Sequence, residues 1–388
     1  MFFVRHRYVD SAIGDYFFIA LLFKIGSGFA LGFLFYYHYG VGDTISFFET
    51  AKGMATLEVG EFFNVLTNPT VSSQPVRAIY FVRGVAVLVW LTHADYWLVS
   101  IYFSVISFLG AFYLTYQLSR WSPKLTRPVL VSFLFFPSIV FWSSGLLKES
   151  VVFVCMTYLL GMYFSYVRKS RLNKIHFLLG ALALFVLIVI KYYIAAVFLP
   201  LIGYLVLYHI MIDRLSVRWS IWQYSIVIFI VMLVPSLLFL NWLSPNLTYE
   251  HLWRVVSENH AIFLKLKPKD SIHSLVWFDN RLDVVINVFH YLISGIYRPF
   301  IWENLSFPSL IAGLENLGLL GITIYALIRI KRVEVTAELL AVVIYVVILG
   351  LFLSYSAPTF GTLARYKVYY MPFFLLLVLS GLDSIKKE

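Results

Sequence analysis

The chain has 388 residues, of which 61% are hydrophobic and only 13% charged, where a soluble domain of this size carries about a quarter charged residues. Together with a mean hydropathy of +0.84, this excludes an ordinary soluble protein and indicates a chain solvated largely by lipid. The net charge of +10 sits in short clusters between apolar runs, a pattern that marks membrane orientation and anionic lipid rather than nucleic acid.

The apolar runs are continuous rather than alternating, so the fold class is all-α, a polytopic helical membrane protein, and not a β-barrel. Met1-Phe2-Phe3-Val4-Arg5 lacks the pattern of a cleaved signal, so the first run is expected to act as an uncleaved signal-anchor. With about 20 apolar residues needed per crossing, full spans are expected at 15–37, 95–118, 126–143, 147–167, 175–190, 192–212, 220–242, 308–330, 337–355 and 366–382. Two further runs, 77–92 and 284–303, are decided by orientation. Arg5/Arg7, Arg120/Lys124/Arg127, Arg168–Lys174, Arg214/Arg218, Arg329/Lys331/Arg332 and Lys386/Lys387 all face the cytoplasm only if both runs enter and leave on the outer side. The expectation is a single integral membrane domain, 1–388, with ten crossings and two re-entrant or interfacial segments on the outer face. The long outer loops would be 38–94 and 243–307.

Within the first loop, Ile45, Phe47, Phe48, Ala51, Met54 and Leu57 recur at helical spacing between Glu49, Lys52 and Glu58, which predicts an amphipathic helix in the membrane plane. Single Cys155 lies inside an apolar run, which leaves no disulfide framework and no cysteine metal site.

Charge with possible chemistry gathers on the outer side. Asp43 follows Gly40-Val41-Gly42 directly after the first span. It has two readings: a general base or ligand of a divalent cation, or a cap of the following helix. The stretch Phe141–Ser150, FWSSGLLKES, sets Lys148 and Glu149 at a tip between two apolar runs. These two either pair with each other or present a cation to a phosphate beside Ser143-Ser144-Gly145, where helix N–H groups favour anions. Arg298 and Glu303 lie in an aromatic context, and Arg365 and Lys367 open the last span. Arg77 and Arg83 belong to the same outer pool, and each of these cations alone also reads as an interfacial anchor. Lys24 and Lys191 either snorkel or pair. No Asp or Glu is placed near a span centre, which disfavours an ion-coupled pump.

The layout resembles the GT-C superfamily of integral membrane glycosyltransferases and their relatives among O-antigen-type polysaccharide polymerases. The resemblance is carried by Gly42-Asp43-Thr44 after the first span, by the FWSSGLLKES tip and by Arg365-Tyr366-Lys367 before a last span with Pro372. It implies a polyprenyl-(pyro)phosphate-linked sugar donor, a glycan or glycolipid acceptor and membrane lipids as partners. Asp43 would be the base, Glu149 an orienting carboxylate, and Lys148, Arg298, Arg365 and Lys367 the phosphate ligands. No cofactor is implied beyond an optional divalent cation at Asp43, and the active face would be the periplasmic side of a bacterial inner membrane. A flippase for lipid-linked sugars and a non-catalytic membrane subunit of a polysaccharide synthesis or secretion complex are the alternatives.

Overall fold

The structure is a computed structural model that describes residues 13–67, 76–93, 95–214, 219–243, 254, 258, 286–329, 335–357 and 359–385. All elements among them are helical. Six helices are long and apolar enough to cross a membrane: Gly14–Tyr39, Tyr96–Trp121, Lys148–Val167, Tyr192–Arg214, Phe307–Arg329 and Ala337–Ser356. A seventh results if Phe360–Tyr369 and Met371–Leu382, bent by 64°, form one span. The described chain divides into two compact units, Met1–Lys191 and Tyr192–Glu388.

In the first unit, α1 (Phe17–Phe33) continues through a π turn to Tyr39. Then come α2 (Asp43–Ala55), α3 (Val59–Thr67), α4 (Val76–Leu91) and α5 (Tyr96–Trp121). Helix α1 runs antiparallel to α5. Gly32 lies against Tyr96 and Trp97, Gly28 against Ser104, and Phe17 against Phe108 and Phe112 at 5.1 and 4.9 Å between ring centres. Since Tyr39 and Tyr96 lie at one end, the excursion from Gly40 to Asp95 leaves and returns at that end. Its predicted amphipathic helix forms as α2. The apolar face is covered by protein, with Phe47 edge-on to Phe81 of α4 at 5.1 Å and Phe48 edge-on to Tyr96 at 5.3 Å.

Helix α8 (Lys148–Val167) runs parallel to α5. Gly110 packs on Val154, Tyr113 bonds Ser165 at 2.8 Å, and Arg168 donates to Gln117 at 2.7 Å. Two parallel helices require the chain between them to travel back along the unit. It does so as a broken rod: α6 (Thr126–Leu130), a π turn at Val131–Phe135, and α7 (Pro137–Trp142). The expected continuous helix over 126–143 fails for a covalent reason. Pro137 disfavours helical geometry at Phe136, which is extended at φ −71° and ψ 120°. Helix α9 (Lys174–Ile190) then returns antiparallel to α8, with Gly180 on Met162 and Lys191 beside Glu149.

One end of this unit therefore collects Asp43, Asp95, Lys148, Glu149 and Lys191, and the other collects Arg120, Lys124, Arg127, Arg168, Lys169, Arg171 and Lys174. Arg168 at the second end is held below its ordinary pKa, first by burial and second by Arg120.

The second unit holds α10 (Tyr192–Arg214), α11 (Ile221–Leu243), α12 (Val288–Tyr297), α13 (Phe307–Arg329), α14 (Ala337–Ser356), α15 (Phe360–Tyr366) and α16 (Met371–Ile385). Helices α10 and α14 are antiparallel, with His209 on Glu338 at 2.9 Å near one end and Tyr193 by Phe352 near the other. Helix α12 has 10 residues, against the longer stretch 284–303 expected. After it the chain turns back, so that Phe300 and Ile301 lie against Gly313 and the Pro299 carbonyl accepts from Asn316 at 3.0 Å. The polar stretch Asn246–Asp283, apart from Arg254 and Glu258, lies outside the described residues, as do Arg5, Arg7, Arg218, Lys331, Arg332, Lys386 and Lys387.

The parallel α5–α8 seam depends on missing side chains. A Cβ on Gly110 would stand 2.5 Å from Val154 Cγ2 and 2.8 Å from Thr157 Oγ1. Small residues permit this approach where lipid gives no hydrophobic drive between helices. Gly110→Leu is expected to destabilise the detergent-solubilised protein by about 1–3 kcal/mol, read as a lowered melting temperature, whereas Gly53→Leu, with open space around it, is expected to leave it unchanged.

Candidate functional site

The tip between the two apolar runs is buried at its centre. Ser143, Ser144, Leu146 and Leu147 are each 0% exposed. The tip stays inside because its polar groups find partners on α1 and α5. Gly145 N–H donates to Ser104 Oγ at 2.9 Å, Ser107 donates to the Ser143 carbonyl at 2.7 Å, and Ser150 donates to the Gly145 carbonyl at 2.9 Å. Lys24 of α1 donates to Ser143 Oγ and lies 5.0 Å from the centre of the Phe153 ring. Gly145 is left-handed at φ +66°, and a Cβ there would stand 3.1 Å from both Leu31 and Ser100, so glycine fits on both counts. Ser104 is eight residues into α5, about 12 Å from its start. Irregular backbone at such depth is tolerated where protein covers it.

Lys148 and Glu149 each meet a side chain distant in sequence. They begin α8 and point to different partners. Glu149 is 2% exposed and its carboxylate meets Lys191 at 3.3 Å. Lys191 thus pairs rather than snorkels. Lys148 is half-buried, with its ammonium 4.6 Å from the centre of the Phe47 ring. Phe47 stands one helical turn after Asp43 on α2. Residues four apart share a helix face, with Cβ atoms about 5–6 Å apart. Asp43 and Lys148 are thus brought to one corner of the unit, while Glu149 is turned away from it. Asp43 is exposed and occupies the first helical position, after Gly42 at the cap. Its neighbour Thr44 is buried and bonds Tyr96 Oη at 2.9 Å.

In the second unit the tip after α12 meets the break between α15 and α16. Arg298 pairs with Glu303, donates to Ser294 Oγ at 3.4 Å and lies 5.4 Å from the Phe360 ring centre. Glu303 also accepts from the Phe300 N–H at 2.8 Å. Lys367 is placed differently from the phosphate ligand expected. It is 5% exposed, and its ammonium donates to the carbonyls of Ile296 and Arg298, both at 2.8 Å, and to Asn316 Oδ1 at 3.2 Å. An ammonium has three donors, so this side chain ties the tip after α12 to α13. Arg365 is half-buried, its guanidinium 5.4 Å from the Tyr366 ring centre. Burial first, and Arg298 second, hold His290 below the ordinary imidazole value, with Glu303 opposing.

Sequence reasoning missed the anchors of both tips. Ser100, Ser104, Ser107, Ala111 and Thr115 form a stripe at helical spacing along α5, a signal that was present but carries no charge. Asn316, one residue after Glu315, gave no comparable signal. A divalent cation at Asp43 would draw its further ligands from water, backbone or substrate, since no three His, Cys, Asp or Glu side chains gather into a metal-type group among the described residues. Compared with protein-family models, curated proteins and solved structures, the chain matches none.

The Glu149–Lys191 pair gives a direct test of this arrangement. Glu149→Gln leaves Lys191 buried and uncompensated, and is expected to cost about 3–5 kcal/mol. Glu149→Gln combined with Lys191→Met is expected to restore most of the melting temperature. Equal loss in the single and double variants would contradict the pairing.

Proposed function

We propose that the chain is an integral membrane glycosyltransferase or polymerase that uses a polyprenyl-(pyro)phosphate-linked sugar in surface polysaccharide or glycolipid synthesis. The observation that carries the reading is the corner formed by Asp43 and Lys148. There the half-buried Lys148 rests its ammonium on the ring of Phe47, which stands one helical turn after the exposed Asp43, at the end of the unit opposite its basic loops. In this reading that end faces away from the cytosol. Ten crossings, with 77–92 and 284–303 dipping in without crossing, are the topology that goes with it.

The chemistry needs few groups. Asp43 accepts the proton of an acceptor hydroxyl as that oxygen bonds to the sugar's anomeric carbon. The bond from that carbon to the phosphate oxygen breaks, and its electron pair leaves with the lipid phosphate. A cation beside the departing oxygens stabilises the charge developing there. Lys148 is suited to that role because its ammonium rests on a ring face. Arg298 and Arg365 remain proposed phosphate ligands. Glu149 and Lys367 are assigned instead to holding the fold.

One observation favours a second reading, transport of the lipid-linked sugar without bond chemistry. Each unit buries polar groups on irregular backbone, at the Ser143–Leu147 tip in one and at the Lys367–Tyr370 bend in the other, and transporters line substrate sites with such backbone. Reconstitution with donor and acceptor separates the two. Glycosyl transfer predicts a new glycosidic product and free polyprenyl (pyro)phosphate, and Asp43→Asn is expected to lower the rate about 10²- to 10⁴-fold at unchanged protein abundance. Movement of donor between leaflets with no product formed would establish transport.

A further inference from the structure

We propose that Arg83 of α4 holds the phosphate of a bilayer phospholipid against the side of the first unit, its side chain turning outward to bind two of the oxygens side-on through Nε–H and Nη2–H. This is independent of the glycosyl-transfer reading. Arg83 is 9% exposed, and its Nε and Nη2 are buried with no hydrogen-bond partner among the described residues. Those two atoms are the adjacent donors of the guanidinium edge that matches two oxygens of one phosphate. Arginine keeps its charge at any ordinary pH, so it cannot relieve burial by losing a proton.

The other buried cations of the molecule show how protein alone meets this need. Lys24 has Ser143, Lys191 has Glu149, and Lys367 has two carbonyls and Asn316. Arg83 has the face of Tyr80, 5.7 Å from the guanidinium carbon to the ring centre. A ring face covers one side of the guanidinium plane and leaves the donors in that plane unanswered.

Position on the helix selects the ligand. Phe81, which meets Phe47 of α2, lies two residues from Arg83 and so about 200° around α4. Arg83 therefore looks away from the Asp43–Lys148 corner. Beside it, Tyr80, Val87 and Leu91 are exposed at 45%, 39% and 60%, with Gly84 between them, at successive turns of one stripe. Arg83 borders that stripe, three residues from Tyr80 and four from Val87. A molecule with an anionic head at Arg83 and a hydrocarbon chain along Tyr80, Val87 and Leu91 matches both features, and a phospholipid has that form.

The full-length protein, purified in phosphate-free detergent, would be titrated with dioleoylphosphatidylglycerol, with a galactosyl diacylglycerol of the same chains, with inorganic phosphate and with polyprenyl phosphate. Melting temperature and native mass spectrometry are the readouts. The phospholipid is expected to raise the melting temperature of the wild type and to be retained as an adduct, and the galactolipid is not. Arg83→Met is expected to melt no lower than wild type without lipid, because it removes a buried guanidinium two of whose donors have no hydrogen-bond partner among the described residues, and to lose the phospholipid response. Arg83→Lys keeps a charge but lacks the fork, and is expected to retain the adduct at least tenfold less well. Lower lipid-free stability in Arg83→Met would mean that protein already satisfies this side chain, and would overturn the proposal. So would an undiminished adduct in Arg83→Lys, an equal response to galactolipid or to inorganic phosphate, or displacement by polyprenyl phosphate at far lower concentration than phosphatidylglycerol.

Discussion

An apolar chain that interrupts its helices must cover each interruption with protein, because hydrocarbon offers no partner for free backbone N–H and C=O groups. The first unit meets this constraint by folding the Ser143–Leu147 tip into the seam between α1 and α5. Serines on α5 and the ammonium of Lys24 answer the tip's polar groups there. The parallel course of α5 and α8 depends on that tip and on the broken return through α6 and α7. The second unit applies the same rule with charge instead of hydroxyls, using the three donors of Lys367 to close the turn after α12.

This constraint accounts for the charges that hold the fold. Glu149, Lys191, Lys24 and Lys367 have internal partners and lie within protein. Asp43 and Lys148 lie at an exposed or half-buried corner where two helices begin. Helix starts favour anions, and Asp43 stands in the first turn of α2. The glycosyl-transfer reading uses that corner and asks nothing of the buried pairs.

Much of the helical layout was legible in sequence because continuous apolar runs and basic loops are strong signals. The alternation of α1, α5, α8 and α9 follows from them, as does the return of the Gly40–Asp95 excursion to its starting end. The break at Phe136 was also legible in principle, since Pro137 dictates it. The fate of the Lys148-Glu149 tip was not. A charged pair in an apolar stretch signals that something must compensate it, and composition cannot say whether water, a ligand or a distant residue does so. Lys191 lies 42 residues from Glu149, and only the fold brings them together. The partners of Lys367 were not legible for the same reason: they are two backbone carbonyls and an asparagine, none of which carries a charge to advertise the contact.

The measurement that bears most directly on the account asks whether the two ends of the first unit face opposite sides of a membrane. Single cysteines would be introduced by Asp43→Cys and by Lys124→Cys, each in a Cys155→Ser background, and probed with a membrane-impermeant thiol reagent on intact cells and on inverted vesicles. The account predicts that position 43 is modified only from outside and position 124 only from the cytoplasmic side. Labelling of both positions from one side would contradict it.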